Sequence, residues 1–150
     1  MNDDQKEPKQ VIVMRKDLNM RKGKMIAQGA HASLAVLLEA FFGEYNNRDW
    51  EISLLGGPGN KAFTKRIYLY EYEPITKWIN SSFKKIVVGA ESLIECVNVY
   101  EAAKKAEIPC SLIEDKGLTE FGGEVTITCC AIGPADPEEI DKITGHLKLL

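Results

Sequence analysis

The hydrophobic and polar positions of this chain change period several times, and each change marks an element. Val11-Ile12-Val13-Met14 is an unbroken apolar run of strand length. After a polar stretch, Ile26, Ala30, Leu34, Leu37, Leu38 and Phe41 recur at helical spacing, which predicts a helix whose core-facing stripe they form. At about 100° per residue, Lys24, Gln28 and His31 fall within roughly 60° of one another on a flank of that stripe. The chain thus opens as strand, basic loop, helix, with a polar stripe beside the apolar one. Function is to be sought first on that polar flank.

The same reading continues along the chain. Gly43 to Asp49 is a polar exit loop, Trp50 to Leu55 a short strand or turn, and Gly56-Gly57-Pro58-Gly59-Asn60 a breaker without the spacing of a phosphate loop. Ile67 to Tyr72 is a strand closed by Pro74, and Lys85 to Val88 a buried strand ended by Gly89. Between Ser92 and Ala106, Leu93, Ile94, Val97, Tyr100 and Ala103 mark a second amphipathic helix. Cys110 to Ile113 and the β-branched run Val125 to Ile132 are strands, joined by a polar loop too short for a crossover. Asp136 stands where a helix is capped, Pro137 at its first position and Glu139 at capping-box distance, with Ile140 and Ile143 facing the core and Leu147 to Leu150 left as an apolar tail. The fold class is therefore α/β: a three-layer α/β/α domain on a mixed, mostly four-stranded sheet.

Composition narrows this picture. The 150 residues fit a single domain, 1–150, in which 1–10 reads as a flexible leader and about 43–80 as a peripheral insertion. With 45% hydrophobic and 27% charged residues this is ordinary globular material, without the roughly 20-residue apolar run of a membrane span or a signal-peptide core, so a cytoplasmic protein with no membrane partner is expected. Cys96, Cys110, Cys129 and Cys130 lack a C-x-x-C pair and read as buried free thiols; no metal site and no cofactor are expected. The net charge of −3 argues weakly against a nucleic-acid partner, but the charge is uneven. Arg15, Lys16, Arg21, Lys22 and Lys24 gather around Gly23 near a helix N-terminus, which suits a phosphate-bearing partner.

Three motifs give this chain a likeness. Arg15, Asp17-Leu18, Met20, Gly23-Lys24, Ala27-Gln28 and His31-Ala32 come first; Ile113-Glu114-Asp115-Lys116-Gly117-Leu118-Thr119 second; Ala131-Ile132-Gly133-Pro134 with Ile140-Asp141-Lys142-Ile143-Thr144-Gly145-His146-Leu147-Lys148-Leu149 last. In these the chain resembles the type II peptidyl-tRNA hydrolases, whose patterns are R-x-D-L-x-M-x-x-G-K-x-A-A-Q-x-x-H-A and I-x-D-A-G-x-T-Q. The resemblance implies a compact α/β/α domain, usually a homodimer, that hydrolyses the ester between a peptide and the 3′ end of tRNA during translation. It implies Lys24, Asp115 and Thr119 as catalytic residues, with Gln28 and His31 lining or supporting the site; Arg15, Arg21 and Lys22 of the basic stretch and the atypical Glu120 are the further candidates for contact with substrate. Glu120 departs from the usual Gln, Lys116 from a small residue, Ser81-Ser82-Phe83-Lys84-Lys85 from the usual G-Q-x-K, and the stretch from His31 to Trp78 is longer than usual.

Ester hydrolysis needs an oriented water, a donor for the oxyanion and a proton for the leaving oxygen. Asp115 would orient the water, Lys24 stabilise the oxyanion, and Thr119 fix the water or carbonyl. Read without the likeness, Asp115 and Thr119 simply close a turn. His31 either donates a proton or anchors the helix, and His146 either meets the site or caps the last helix. Glu120, if it points inward, would raise a carboxylate pKa beside Asp115. Two further readings stay open: a non-catalytic RNA- or anion-binding protein on the same fold, and an esterase acting on another acyl ester.

Overall fold

The computed structural model describes residues 6–42, 52–53, 62–63 and 73–150. In chain order the elements are β1 (Lys9–Arg15), α1 (Lys22–Phe42), β2 (Ile52–Ser53), β3 (Ala62–Phe63), α2 (Pro74–Ile79) and β4 (Lys85–Ala90). They continue as α3 (Leu93–Lys105), β5 (Cys110–Asp115), β6 (Thr126–Ala135), α4 (Pro137–Thr144) and β7 (Lys148–Leu149). The strand expected over Ile67 to Tyr72, the Gly43 to Asp49 loop and the Gly56 to Asn60 breaker lie outside the described residues.

Five strands form one mixed sheet in the order β5-β6-β1-β4-β7, in which only β1 and β4 run parallel. β2 and β3 pair separately, antiparallel. The mixed α/β sheet is as the sequence implied, with one addition: Lys148 and Leu149 of the apolar tail pair with Gly89 and Val88 as an edge strand. The three layers follow from the period of two along the inner strands. Val11 and Val13 of β1, with Cys130 and Ile132 of β6, pack under Cys96, Val99 and Ala103 of α3 and Ile140 of α4. Ile12, Met14, Cys129 and Ala131 face the other way, against Ala32 and Val36 of α1.

Three expectations need correction. The first concerns α1, whose buried positions are Gln28, Gly29, Ala32, Ser33 and Val36, while Ile26 and Leu34 of the expected core stripe are 73% and 55% exposed. The helix is rotated by about 140° from that stripe. Small side chains let α1 approach the sheet closely, a Cβ on Gly29 lying only 3.7–3.8 Å from Met14 and Ile12. The buried polar groups are paired: Ser33 Oγ donates to Gln10 Oε1 at 2.6 Å and Gln10 Nε2 to the Gly133 carbonyl at 3.0 Å. The second is α3, where Cys96, Val99 and Ala103 are buried but Leu93 and Ile94 are exposed. Its start is fixed by Ser92, whose Oγ accepts from the Glu95 N–H at 3.1 Å. The third is the leader, which ends before Lys9, because Lys9 Nζ pairs with Asp141 at 2.6 Å and Gln10 is fully buried in β1. Asp136 occupies the N-cap of α4 but makes no capping bond with its side chain.

Candidate active site

Two segments that β1 and β6 bring to one end of the sheet build the site: the start of α1 and the loop that follows β5. Lys24 and Gln28 are one helical turn apart and so share a face. Lys24 Nζ donates to Asp115 Oδ2 at 2.5 Å and to Thr119 Oγ1 at 2.9 Å, although 91 residues separate Lys24 from Asp115. Gln28 Nε2 donates to the same Asp115 oxygen at 3.2 Å, while its Oε1 accepts from Thr128 Oγ1 at 2.5 Å. The backbone N–H of Gly117 donates to Asp115 Oδ1 at 2.8 Å. The side chains of Lys24 and Asp115 are only 12% and 15% exposed, and the Lys24 ammonium lies 5.7 Å from the centre of the Phe121 ring.

The electrostatics follow from these contacts. The hydrogen bond from Lys24, then those of Gly117 and Gln28, hold the Asp115 carboxyl below its ordinary range against the opposing effect of desolvation. Asp115 is therefore a weak base with a fixed orientation. Glu120 does not sit against it as a like charge. Its carboxylate accepts from Arg21 Nε at 2.7 Å and from the Arg21 N–H at 3.4 Å, and the Arg21 hydrogen bond lowers its pKa as well. The upward shift expected for a carboxylate pair is thus reversed, because a cation stands beside each member.

Of the other sequence-selected residues, Arg15 is turned inward. Its Nε and Nη2 grip Asp17 at 3.1 and 2.6 Å and Nη1 donates to the Ile127 carbonyl at 2.8 Å, so it ties the β1–α1 loop to β6 rather than facing a substrate. Lys22 and His31 are exposed on α1, and none of the site's described hydrogen bonds reaches His31. His146 is exposed in a cleft with Ser92, Glu95 and Asn98 of the α3 side, away from this cluster. Gly117 and Thr128 were missed. Gly117 has φ +73° and a Cβ there would lie 2.3 Å from the Glu124 carbonyl, so only glycine fits the turn that aims its N–H at Asp115. Thr128 is hidden in a β-branched run, where one buried hydroxyl leaves no pattern.

The arrangement supplies an ammonium able to receive negative charge, bonded on one side to a fixed carboxylate able to hold a water and on the other to a hydroxyl: the parts of a hydrolytic site without a covalent nucleophile. The four cysteines are free, three of them buried. Among the described residues no three His, Cys, Asp or Glu side chains gather as metal ligands, and no helix is long and apolar enough to cross a membrane.

Comparison with known proteins places relatives beside this geometry. The sequence profile of the family described as Peptidyl-tRNA hydrolase PTH2 matches residues 8–150. The chain is 38% identical over 142 residues to a peptidyl-tRNA hydrolase of Methanocaldococcus jannaschii, covering 95% of this chain and 99% of that protein. It is 39% identical over 142 residues to one of Methanothermobacter thermautotrophicus, with the same coverage. A solved structure of an Agrobacterium protein of unknown function shares the fold with a TM-score of 0.53 at 14% identity, over 96% of this chain and 98% of that one.

Proposed function

The chain belongs to the peptidyl-tRNA hydrolase PTH2 family, and from that premise we propose that it hydrolyses the ester between a peptide and the 3′ end of tRNA at the Lys24–Asp115–Thr119 cluster. The observation that supports this reading is the meeting of those three side chains in one partly covered cluster. Lys24 receives the oxyanion that develops when water attacks the ester carbonyl. Asp115 orients that water, and because its pKa is lowered its contribution is position and charge rather than basicity. Thr119 holds the water or carbonyl by its hydroxyl. Gln28 is a positioning residue, steadied by Thr128.

The polyanion reaches this cluster past the exposed Lys116, next to Asp115 in the chain. The protein acts in the cytoplasm, where its substrate is made. It works as a homodimer through an apolar groove of about 790 Å³ that Ile26, Leu34, Phe83, Val87 and Leu150 line on the flank of α1 opposite Lys24. A strongly apolar face is unsuited to RNA and suits a second copy of itself.

The test is turnover of peptidyl-tRNA, followed by release of free tRNA, for the wild type and Asp115→Ala. Wild-type hydrolysis that Asp115→Ala removes supports the reading. Binding of tRNA without turnover would instead leave an RNA-binding protein on this fold. Sedimentation of the wild type as a dimer and of Leu34→Glu as a monomer tests the groove, and a monomeric wild type overturns the dimer.

A further inference from the structure

The loop between β5 and β6 touches the start of α1 at two neighbouring points. Thr119 Oγ1 accepts from the Lys24 ammonium at 2.9 Å, and the carboxylate of Glu120, the next residue, accepts from Arg21 Nε at 2.7 Å and the Arg21 N–H at 3.4 Å. Arg21 and Lys24 are three residues apart at the entry to the helix, so the four residues close a small ring: Arg21 to Glu120, Glu120 to Thr119 by the chain, Thr119 to Lys24, Lys24 back to Arg21. The two sides of the ion pair differ. The Glu120 side chain is 14% exposed and that of Arg21 79%, so the carboxylate is the fixed end of the pair and the guanidinium the solvent-facing one. Thr119 is itself exposed. The hydroxyl thus sits on an exposed stretch of loop whose next residue is anchored.

We infer that Arg21 and Glu120 are positioning residues, forming a strap that holds the Thr119 hydroxyl at Lys24. The inference deepens the hydrolase reading and rests on it for its kinetic arm. It also assigns the Arg21 charge: in the free protein this cation is used within the loop instead of waiting for a phosphate. A carboxylate fits that task where an amide does so less well, since it accepts from both Arg21 donors with a full charge.

The alternative role for Arg21 is direct contact with RNA, and the two roles predict opposite results for Glu120→Ala. The experiment measures kcat and KM on peptidyl-tRNA for wild type, Arg21→Ala, Glu120→Ala, Glu120→Gln and the double variant Arg21→Ala/Glu120→Ala, with amide hydrogen exchange of residues 117–124 in the same proteins. A strap predicts that each alanine variant lowers kcat by about fivefold with KM little changed, the scale of one exposed ion pair. It also predicts a double variant no worse than the poorer single, partial rescue by Glu120→Gln, whose amide oxygen still accepts from Arg21, and faster exchange of the loop amides in both single variants. Unchanged kcat and unchanged loop exchange in Glu120→Ala, with a lower KM as Arg21 is freed for phosphate, would overturn the strap. If the wild type shows no turnover at all, the hydrolase reading fails, and the exchange of the loop amides alone still decides the strap.

Discussion

Replacing Asp115 by Asn keeps the shape of the side chain and removes its charge, which isolates what the carboxylate does. Asp115 accepts three donors: Lys24 Nζ at 2.5 Å, Gln28 Nε2 at 3.2 Å and the Gly117 N–H at 2.8 Å. An amide offers one accepting oxygen, so its NH2 group must turn toward a donor and leave Lys24 without a counter-charge. Breaking a buried ion pair costs about 3–5 kcal/mol and an exposed one about 0–1 kcal/mol. At 12% and 15% exposure this pair lies between those limits; we expect a loss of about 2 kcal/mol, or roughly 4–8 °C in Tm for a chain of this size. The loss depends on pH in a definite direction. The folded-state pKa of Asp115 is below its ordinary value of 3.8, so the carboxylate's stabilisation is fully present above that value and disappears as pH falls through the folded-state pKa. Wild type and Asp115→Asn should therefore differ most near neutrality and converge in acid. Activity should fall about a hundredfold or more, since the water and Lys24 are both released. Thermal melts by circular dichroism from neutral to acid pH, with initial rates on the folded variant, test each part. Equal Tm values near neutrality, or wild-type rates, would refute the reasoning.

Three other outcomes are expected. Gly117→Ala places a Cβ 2.3 Å from the Glu124 carbonyl at φ +73°, so the loop must shift and kcat should fall about ten- to a hundredfold with less change in KM; steady-state kinetics check it. Trp78→Ala removes a buried ring that meets Phe83 edge-on at 5.6 Å and donates to the Lys84 carbonyl at 2.9 Å; a loss of about 3–5 kcal/mol, seen as a Tm lower by roughly 10 °C or more, is expected by calorimetry. Burial pushes Cys129 up to about 12 and Cys110 up to about 11, so alkylation at neutral pH, mapped by mass spectrometry, should leave both unmodified until the protein unfolds.

What could be read from the sequence divides along physical lines. The inner strands were legible because burial on both faces demands unbroken apolar runs, and the mixed sheet because the link from Cys110–Ile113 to Val125–Ile132 is too short for a crossover. Pairing of Lys148 and Leu149 at the edge was not legible, since two residues carry no period. The rotation of α1 escaped because its core face mixes Ala32 and Val36 with Gln28, Gly29 and Ser33, which a hydrophobic pattern does not register. At the site, Lys24 stood out on the polar flank of the helix, whereas Asp115 and Thr119 came from motif resemblance, and read without it they simply close a turn. The partner of Glu120 was invisible: whether a carboxylate faces Asp115 or Arg21 depends on how a loop folds across 99 residues of intervening chain.

The place of β1 at the middle of the sheet has a consequence for how the protein is made. This strand pairs with β4 on one side and β6 on the other, so after its own synthesis one edge stays bare until Lys85–Ala90 is made and the other until Thr126–Ala135 is made. A nascent chain stopped before Thr126 lacks β6 altogether, and with it the register that sets the Asp115 loop over α1. Late closure of this kind exposes Val11 to Met14 to other chains during translation. Appearance of activity in a timed synthesis should accordingly not precede emergence of β6, with no earlier partial signal.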